Sequence, residues 1–418
     1  MTESTDVAIV GAGPYGLSLA AHLRARGVRF RIFGPPMKFW HAMPAGVNLK
    51  SLAFATNVSV PERGHSFAEW CREHDLEDFE PCTMHAFAAY GAEIQRRFVP
   101  EVEDVLVTNI SKAPVGFEIT LASSGRVMAN RVVVSTGLSY LAVTPQVLHS
   151  LPRELARHTS MISDYSEFRG KVVAVIGGGA SAIEAGALVR EAGGTAEIFV
   201  RGPEAIFHGR SSRVRPLWER IKEPMTVFGA GRRHWLLQHF PLLVHILPEA
   251  RRIRLAQSYL GPASPWWIKD RVLGKVPIHV SSELVEARAA GNRVLIRIRD
   301  ASNVLREAEV DCVIAGTGYS WDAALLPFLE RDLQQSIRRT ARAPALNLNF
   351  ESSAKGLYFI GPLSAMSFGP LVRFVAGTDF TVRNLARHLA RPRPQAGASV
   401  ANRLLSFLGA SRQTASPR

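Results

Sequence analysis

The chain has 418 residues, 47% hydrophobic and 21% charged, which suits an ordinary globular protein with room for two or more folded units. Its three cysteines, Cys71, Cys82 and Cys312, form no CxxC pair and no metal-ligand spacing, so a disulfide framework, a zinc or other metal site and a dithiol redox centre are excluded as expectations. The net charge of +14 suits an anionic partner, but the basic residues are scattered and no nucleic-acid motif accompanies them, so a basic surface plus a pocket for a phosphorylated cofactor is expected.

Residues 1–6 are short and acidic rather than a secretory leader. DVAIV then reads as a buried strand, GAGPYG (11–16) as a glycine turn and YGLSLAAHLRARG as an amphipathic helix closing on Gly27. VRFRIF alternates as the next strand. Residues 105–121 read as a β-meander, and RVVVSTG (131–137) as a core strand with a tight turn. The first grammar returns at 171–201: KVVAVI is a strand, GGGASA a turn, SAIEAGALVREAGG a helix and AEIFVR a strand. Two βαβ nucleotide-binding units about 165 residues apart are far more specific than one GxGxxG.

Residues 203–275, rich in Trp, Pro and Arg, predict a mainly helical insertion that is either a cap over a substrate pocket or a dimer contact. Its densest apolar stretch, WLLQHFPLLVHILP (235–248), is too short to span a membrane and is broken by Pro241. Residues 278–310 read as a second meander, and CVIAGTG (312–318) as another strand ending in Thr-Gly. The Pro/Ala/Ser/Arg-rich tail 391–418 is expected to be disordered. The chain is therefore expected to be cytoplasmic, with no integral membrane segment and no nucleic-acid partner, its oligomeric state left open.

A dinucleotide unit normally carries an acid about twenty residues after its glycines, to hold an adenosine ribose. In RIFGPPMKFW (31–40) that station holds Gly34, whereas the second unit presents Arg201 at a similar distance. A guanidinium there can fork onto a 2′-phosphate, so the second site is expected to take NADPH, with Arg210, Arg213 and Arg215 as reinforcement. Gly34 loses one ribose contact, for which backbone amides at 34–38 or Lys38 are the replacements.

These residues resemble the class B flavoprotein monooxygenases, the family of flavin-containing monooxygenases, microbial N-hydroxylases and Baeyer–Villiger enzymes. GAGPYG, GGGASAIE (177–184), AGTGYSWD (315–322), GLYFIGP (356–362) and FWHAMPAGVNLKS (39–51) carry the resemblance over about 1–390. It implies an α/β fold with two Rossmann-like dinucleotide-binding domains: FAD in 1–165 and 313–390, NADPH in 166–312, with the helical insertion at 203–275. The FAD contacts it implies are Gly11, Gly13, Pro14, Tyr15, Gly16, Lys38, Trp40, Ser51, Thr136, Gly137 and Gly361. Those for NADPH and the returning chain are Gly177, Gly179, Ala180, Ser181, Arg201, Thr317, Gly318 and Tyr319. Asn57, in AFATNVS, stands where the family's Thr-Asn pair meets the reactive flavin face, and Arg373 could meet an anionic substrate or a core carbonyl.

The implied reaction uses NADPH to reduce FAD, and a flavin C(4a)-hydroperoxide to oxygenate a small substrate at nitrogen or sulfur. Departures narrow this. The Baeyer–Villiger fingerprint FxGxxxHxxxW is absent; ELARHTSMISDYSEFRGK (154–171) keeps His158 as a structural residue. The alternatives are an FAD- and NAD(P)H-dependent reductase without oxygenation and a non-catalytic flavoprotein module. Gly34→Glu is expected to leave FAD binding intact or improve it.

Overall fold

The computed structural model describes residues 3–210, 214–259 and 261–391. The chain opens with β1 (Glu3–Val10), α1 (Pro14–Arg24) and β2 (Phe30–Phe33), β1 and β2 running parallel. Two helices, α2 (Phe67–Glu73) and α3 (Met84–Phe98), follow. Ser66 and Glu69 cap α2 reciprocally, as the sequence S-x-x-E allows. β3 (Val107–Lys112), β4 (Phe117–Leu121) and β5 (Arg126–Val134) form the first meander, and β5 pairs with β1 in parallel.

The second sheet is parallel throughout. It contains β6 (Ala156–His158), β7 (Val172–Ile176) and β8 (Thr195–Phe199), the last two joined by α4 (Ala180–Glu191). Among its described residues the insertion supplies five short helices: α5 (Leu217–Lys222), α6 (Arg232–His239), α7 (Pro241–His245), α8 (Glu249–Ser258) and α9 (Trp266–Val272). β9 (Ile278–His279) returns to the sheet beside β8. The antiparallel trio β10 (Glu283–Ala290), β11 (Arg293–Arg299) and β12 (Leu305–Val310) is the second meander. β13 (Cys312–Ala315) then enters between β7 and β6. Finally β14 (Leu357–Phe359) pairs with the C-terminal half of β5 in the first sheet, and α10 (Thr378–Leu389) packs on α1.

The fold class is therefore the expected one, but two boundaries move. Residues 156–158 and 312–315 belong to the second sheet, so 1–165 is not wholly first domain and the chain returns to it only after β13. Both central strands, DVAIV and VVAVI, are buried on both faces, as parallel strands flanked by helices must be. The tail lies outside the described residues beyond Arg391.

Candidate functional site

The two dinucleotide units repeat each other at the level of hydrogen bonds. Gly11 N–H donates to Phe33 O (2.8 Å), and Gly177 N–H to Phe199 O (2.9 Å). The next residue donates outward in each: Gly34 N–H to Glu103 O (2.9 Å), Val200 N–H to His279 O (2.8 Å). Strand registers agree, Val10 facing Phe33 and Ile176 facing Phe199. The structural partner of Gly34 is thus Val200, and Arg201 matches Pro35. This shifts the expected alignment of Gly34 with Arg201 by one residue. Neither ribose station holds an acid.

The glycines divide their work. A Cβ on Gly11 (φ +110) would sit 2.7 Å from Ser135 O, so this turn needs glycine. One on Gly13 would meet nothing within 4 Å, leaving the backbone open to a ligand. Gly16 packs directly onto Gly11 and Ser135. In the second unit the small residue changes sides: Ala182 is on the helix, and a Cβ on Gly316, just after β13, would sit 2.5 Å from the Ala182 Cβ. Gly179 again has an uncrowded face, with only Pro262 of the insertion at 3.7 Å.

Gly13 and Gly179 are the N-caps of α1 and α4, and neither helix has a capping side chain or an acid in its first turn. The first-turn N–H groups, including those of Tyr15, Gly16, Ala180 and Ser181, point their partial positive charge at the open face. Thr136 Oγ1 is buried beside the first turn without a partner. An open glycine, a bare helix terminus and an orphaned hydroxyl fit a pyrophosphate-bearing dinucleotide. Gly137 (φ +59) and Gly318 (φ +77) both leave open space at the ends of β5 and β13.

Several expected ligands are already engaged by protein. The Tyr15 hydroxyl lies 2.9 Å from Val372 O and from Phe374 O, with Gly361 and Gly377 against its ring and hydroxyl. Burial raises its pKa, and its side chain docks the C-terminal segment onto α1. Thr317 Oγ1 bonds Val143 O, and Gly318 O accepts from Val143 N–H (3.0 Å) and faces His158 Nε2 (3.1 Å). The Tyr319 ring packs edge-on to His158, whose Nδ1 meets Ser160, so both ring nitrogens of His158 have partners within the protein. Ser51 Oγ pairs with Thr56 Oγ1 (2.8 Å), and Trp40 packs edge-on to Phe87. Lys38 is exposed.

Asn57 Oδ1 accepts from Phe67 N–H at the start of α2 (2.8 Å), and Nδ2 donates to Phe54 O (3.2 Å). One N–H of this half-exposed amide is left for a ligand. Arg373 Nη1 donates to Ala256 O (3.0 Å) and Tyr259 O (3.1 Å) at the end of α8, while its guanidinium lies over Trp321. Of its two expected partners, the core carbonyl is the one the structure supplies.

Arg201 is exposed. Its expected helpers are not free: Arg210 pairs with Glu80 and covers Trp266, and Arg215 pairs with Glu219 and Glu223 O. Arg213 lies outside the described residues. The sequence reading gave no role to Glu184, a carboxylate on α4 that is 3% exposed and binds Lys50 Nζ from the 39–51 run. This pair joins the two dinucleotide units, and only folding reveals a contact 134 residues apart.

A pyridine nucleotide-disulphide oxidoreductase model matches residues 8–227, which include both glycine units. The chain belongs to the pyridine nucleotide-disulphide oxidoreductase family. The FAD-dependent urate hydroxylase of Xanthomonas campestris pv. campestris is 26% identical over 276 residues, 62% of this chain and 54% of that protein. The chain thus aligns with about half the length of this curated relative. The ornithine hydroxylase of Pseudomonas aeruginosa shares the fold (TM-score 0.73, 18% identity, 93% of this chain and 99% of that one). So does the Kutzneria ornithine N-hydroxylase solved with reduced FAD, NADP+ and L-ornithine (TM-score 0.70, 16% identity, 92% and 99%). The resemblance to class B flavoprotein monooxygenases therefore holds in fold.

The family's disulfide chemistry has poor support in these residues. Cys71 and Cys82 lie 3.8 Å apart, but both are buried, and burial pushes Cys71 up to about 12 and Cys82 up as well. Thiols so protonated are weak nucleophiles. Cys312, also buried, is pushed up to about 11.

Proposed function

We propose that this chain is an FAD- and NADPH-dependent monooxygenase that places one atom of dioxygen on a small substrate with a nucleophilic nitrogen or sulfur. The observation that carries this reading is the pair of dinucleotide cradles with one hydrogen-bond frame, of which only the second is followed by an exposed arginine.

Gly11, Gly13, Pro14, Gly16, Thr136 and Gly137 would hold FAD, with the α1 N-terminus facing its pyrophosphate. Gly177, Gly179, Ala180, Ser181 and Arg201 would hold NADPH. When bound, FAD supplies the activation of dioxygen and NADPH the reducing hydride. The residues themselves bind, orient and exclude water. Arg201 offers two N–H groups to a 2′-phosphate, and Val200 has no carboxylate to repel it. The free N–H of Asn57 would orient a polar group at the flavin. The insertion helices α7 and α8 pack on residues 365–368, so this region seals the C-terminal segment and excludes water. The buried, protonated thiols favour oxygenation over disulfide reduction.

Incubation with NADPH, heavy-isotope dioxygen and a panel of primary amines and sulfides tests the reading. One heavy oxygen in the product is expected. NADPH consumption that yields only peroxide with every substrate would favour the reductase alternative.

A further inference from the structure

The insertion carries an apolar surface that the dinucleotide cradles do not use. α6 and α7 meet at Phe240, where the backbone leaves helical geometry ahead of Pro241. At this corner Leu237, Pro241 and Val244 turn inward. Trp235, Leu236, Phe240, Leu242, Leu243 and Ile246 face outward, each 39–73% exposed. An ordinary surface helix pair would show polar residues there. Elsewhere in the insertion α5, which buries no residue, exposes Leu217, Trp218 and Ile221.

The same insertion is strongly basic. Residues 201–275 hold fourteen Lys and Arg against five Asp and Glu, which accounts for nine of the fourteen surplus positive charges. Arg220, Lys222, Arg232, Arg251 and Arg254 are exposed, and none has a carboxylate within ion-pair distance among the described residues.

We propose that this surface binds an anionic lipid bilayer. Its Trp, Leu, Phe and Ile side chains enter the boundary between headgroups and acyl chains, and its arginines and lysines meet the lipid phosphates. No helix among the described residues is long and apolar enough to cross a membrane, so the contact is interfacial. Charge decides against a second copy as the occupant, because a symmetric contact would oppose two surfaces of one sign.

Vesicle co-sedimentation of the full chain tests this, using phosphatidylcholine alone and phosphatidylcholine with one third phosphatidylglycerol. Binding to the anionic vesicles is expected to be at least about tenfold the stronger and to weaken as salt is raised. A Trp235→Ser, Leu243→Ser, Ile246→Ser variant should lose about tenfold or more, since it removes several buried apolar groups. Arg251→Glu with Arg254→Glu should lose as much, and neither change should lower the melting temperature. Changing the tail's Arg393, Arg403, Arg412 and Arg418 to Gln should leave binding in place. Absent or equal binding to the two vesicles would overturn the proposal, as would binding lost only in the tail variant. A dimer abolished by the apolar variant, with no vesicle binding, would assign the surface to self-association instead.

Discussion

Gly34 and Val200 occupy one structural position, each following the strand that faces the glycine turn and each donating its N–H to an added edge segment. Where the ribose-binding acid of a dinucleotide unit belongs, one unit has a glycine and the other a valine. Three residues earlier the units also match in kind: Arg31 pairs with Glu103 in the first, and Glu197 with His279 in the second.

Gly34 has φ +121, a conformation that L side chains rarely adopt. The expectation that Gly34→Glu would be tolerated or helpful is therefore reversed. The substitution should cost about 1–3 kcal/mol of backbone strain. A lower urea midpoint with no gain in bound FAD is the expected result; unchanged stability would show that the turn relaxes.

Tyr15 lies in the glycine motif but serves the C-terminal segment. Tyr15→Phe leaves the Val372 and Phe374 carbonyls without their buried donor, at a cost of about 1–3 kcal/mol. Thermal denaturation should show the loss while flavin content per folded chain stays the same. Loss of flavin at unchanged stability would make Tyr15 a direct ligand.

The Lys50–Glu184 pair spans the two units, with the Glu184 carboxylate buried and Lys50 part-exposed. Breaking it with Glu184→Ala should cost roughly 2–4 kcal/mol, below the fully buried figure because the Lys50 side chain keeps 30% of its surface exposed. A double-mutant cycle with Lys50→Met measures it, and the second change should cost much less in the absence of the first. Additive losses would deny the coupling.

His22 is buried on α1, its Nε2 3.1 Å from Ser59 Oγ, and its pKa is lowered to about 4, chiefly by burial and then by Arg26 and Arg383. The unfolded chain binds this proton near pH 6.5, so His22 favours the fold above that pH and loses its contribution as pH falls toward 4. Burial lowers His158, His245 and His388 in the same sense. Urea midpoints should therefore fall between pH 7 and pH 5, and His22→Gln should flatten the slope. A slope unchanged in that variant would place the acid sensitivity elsewhere.

Much of this was legible in the sequence because it is local. DVAIV, GAGPYG and the helix after them, with their repeat at 171–201, encode strand, turn and helix within thirty residues or so, and the structure keeps them. The strands RVVVSTG and CVIAGTG were equally plain, but their sheet was not: the same apolar run with Thr-Gly serves β5 in one sheet and β13 in the other. The one-residue offset between Gly34 and Arg201 is countable, 21 residues from Gly13 against 22 from Gly179, but only the hydrogen-bond frame shows that the count, and not the residue type, decides the match. Arg373 and Asn57 could be named as polar candidates, yet Arg373's carbonyl partners lie more than a hundred residues away and Asn57 accepts from the start of α2, so partner choice had to come from the fold.

The central claim is that Arg201 selects NADPH at the second cradle. Its direct test is the ratio of NADPH to NADH efficiency in reducing the bound flavin, measured for the native chain and for Arg201→Ala. Charge-assisted hydrogen bonds to a phosphate are worth about 1.5–3 kcal/mol, so the native preference should fall by roughly 10- to 100-fold in the variant. Val200→Asp, which puts a carboxylate at the ribose station, should turn the preference toward NADH. A native protein that uses both nucleotides equally, or a preference that survives Arg201→Ala intact, would contradict the account.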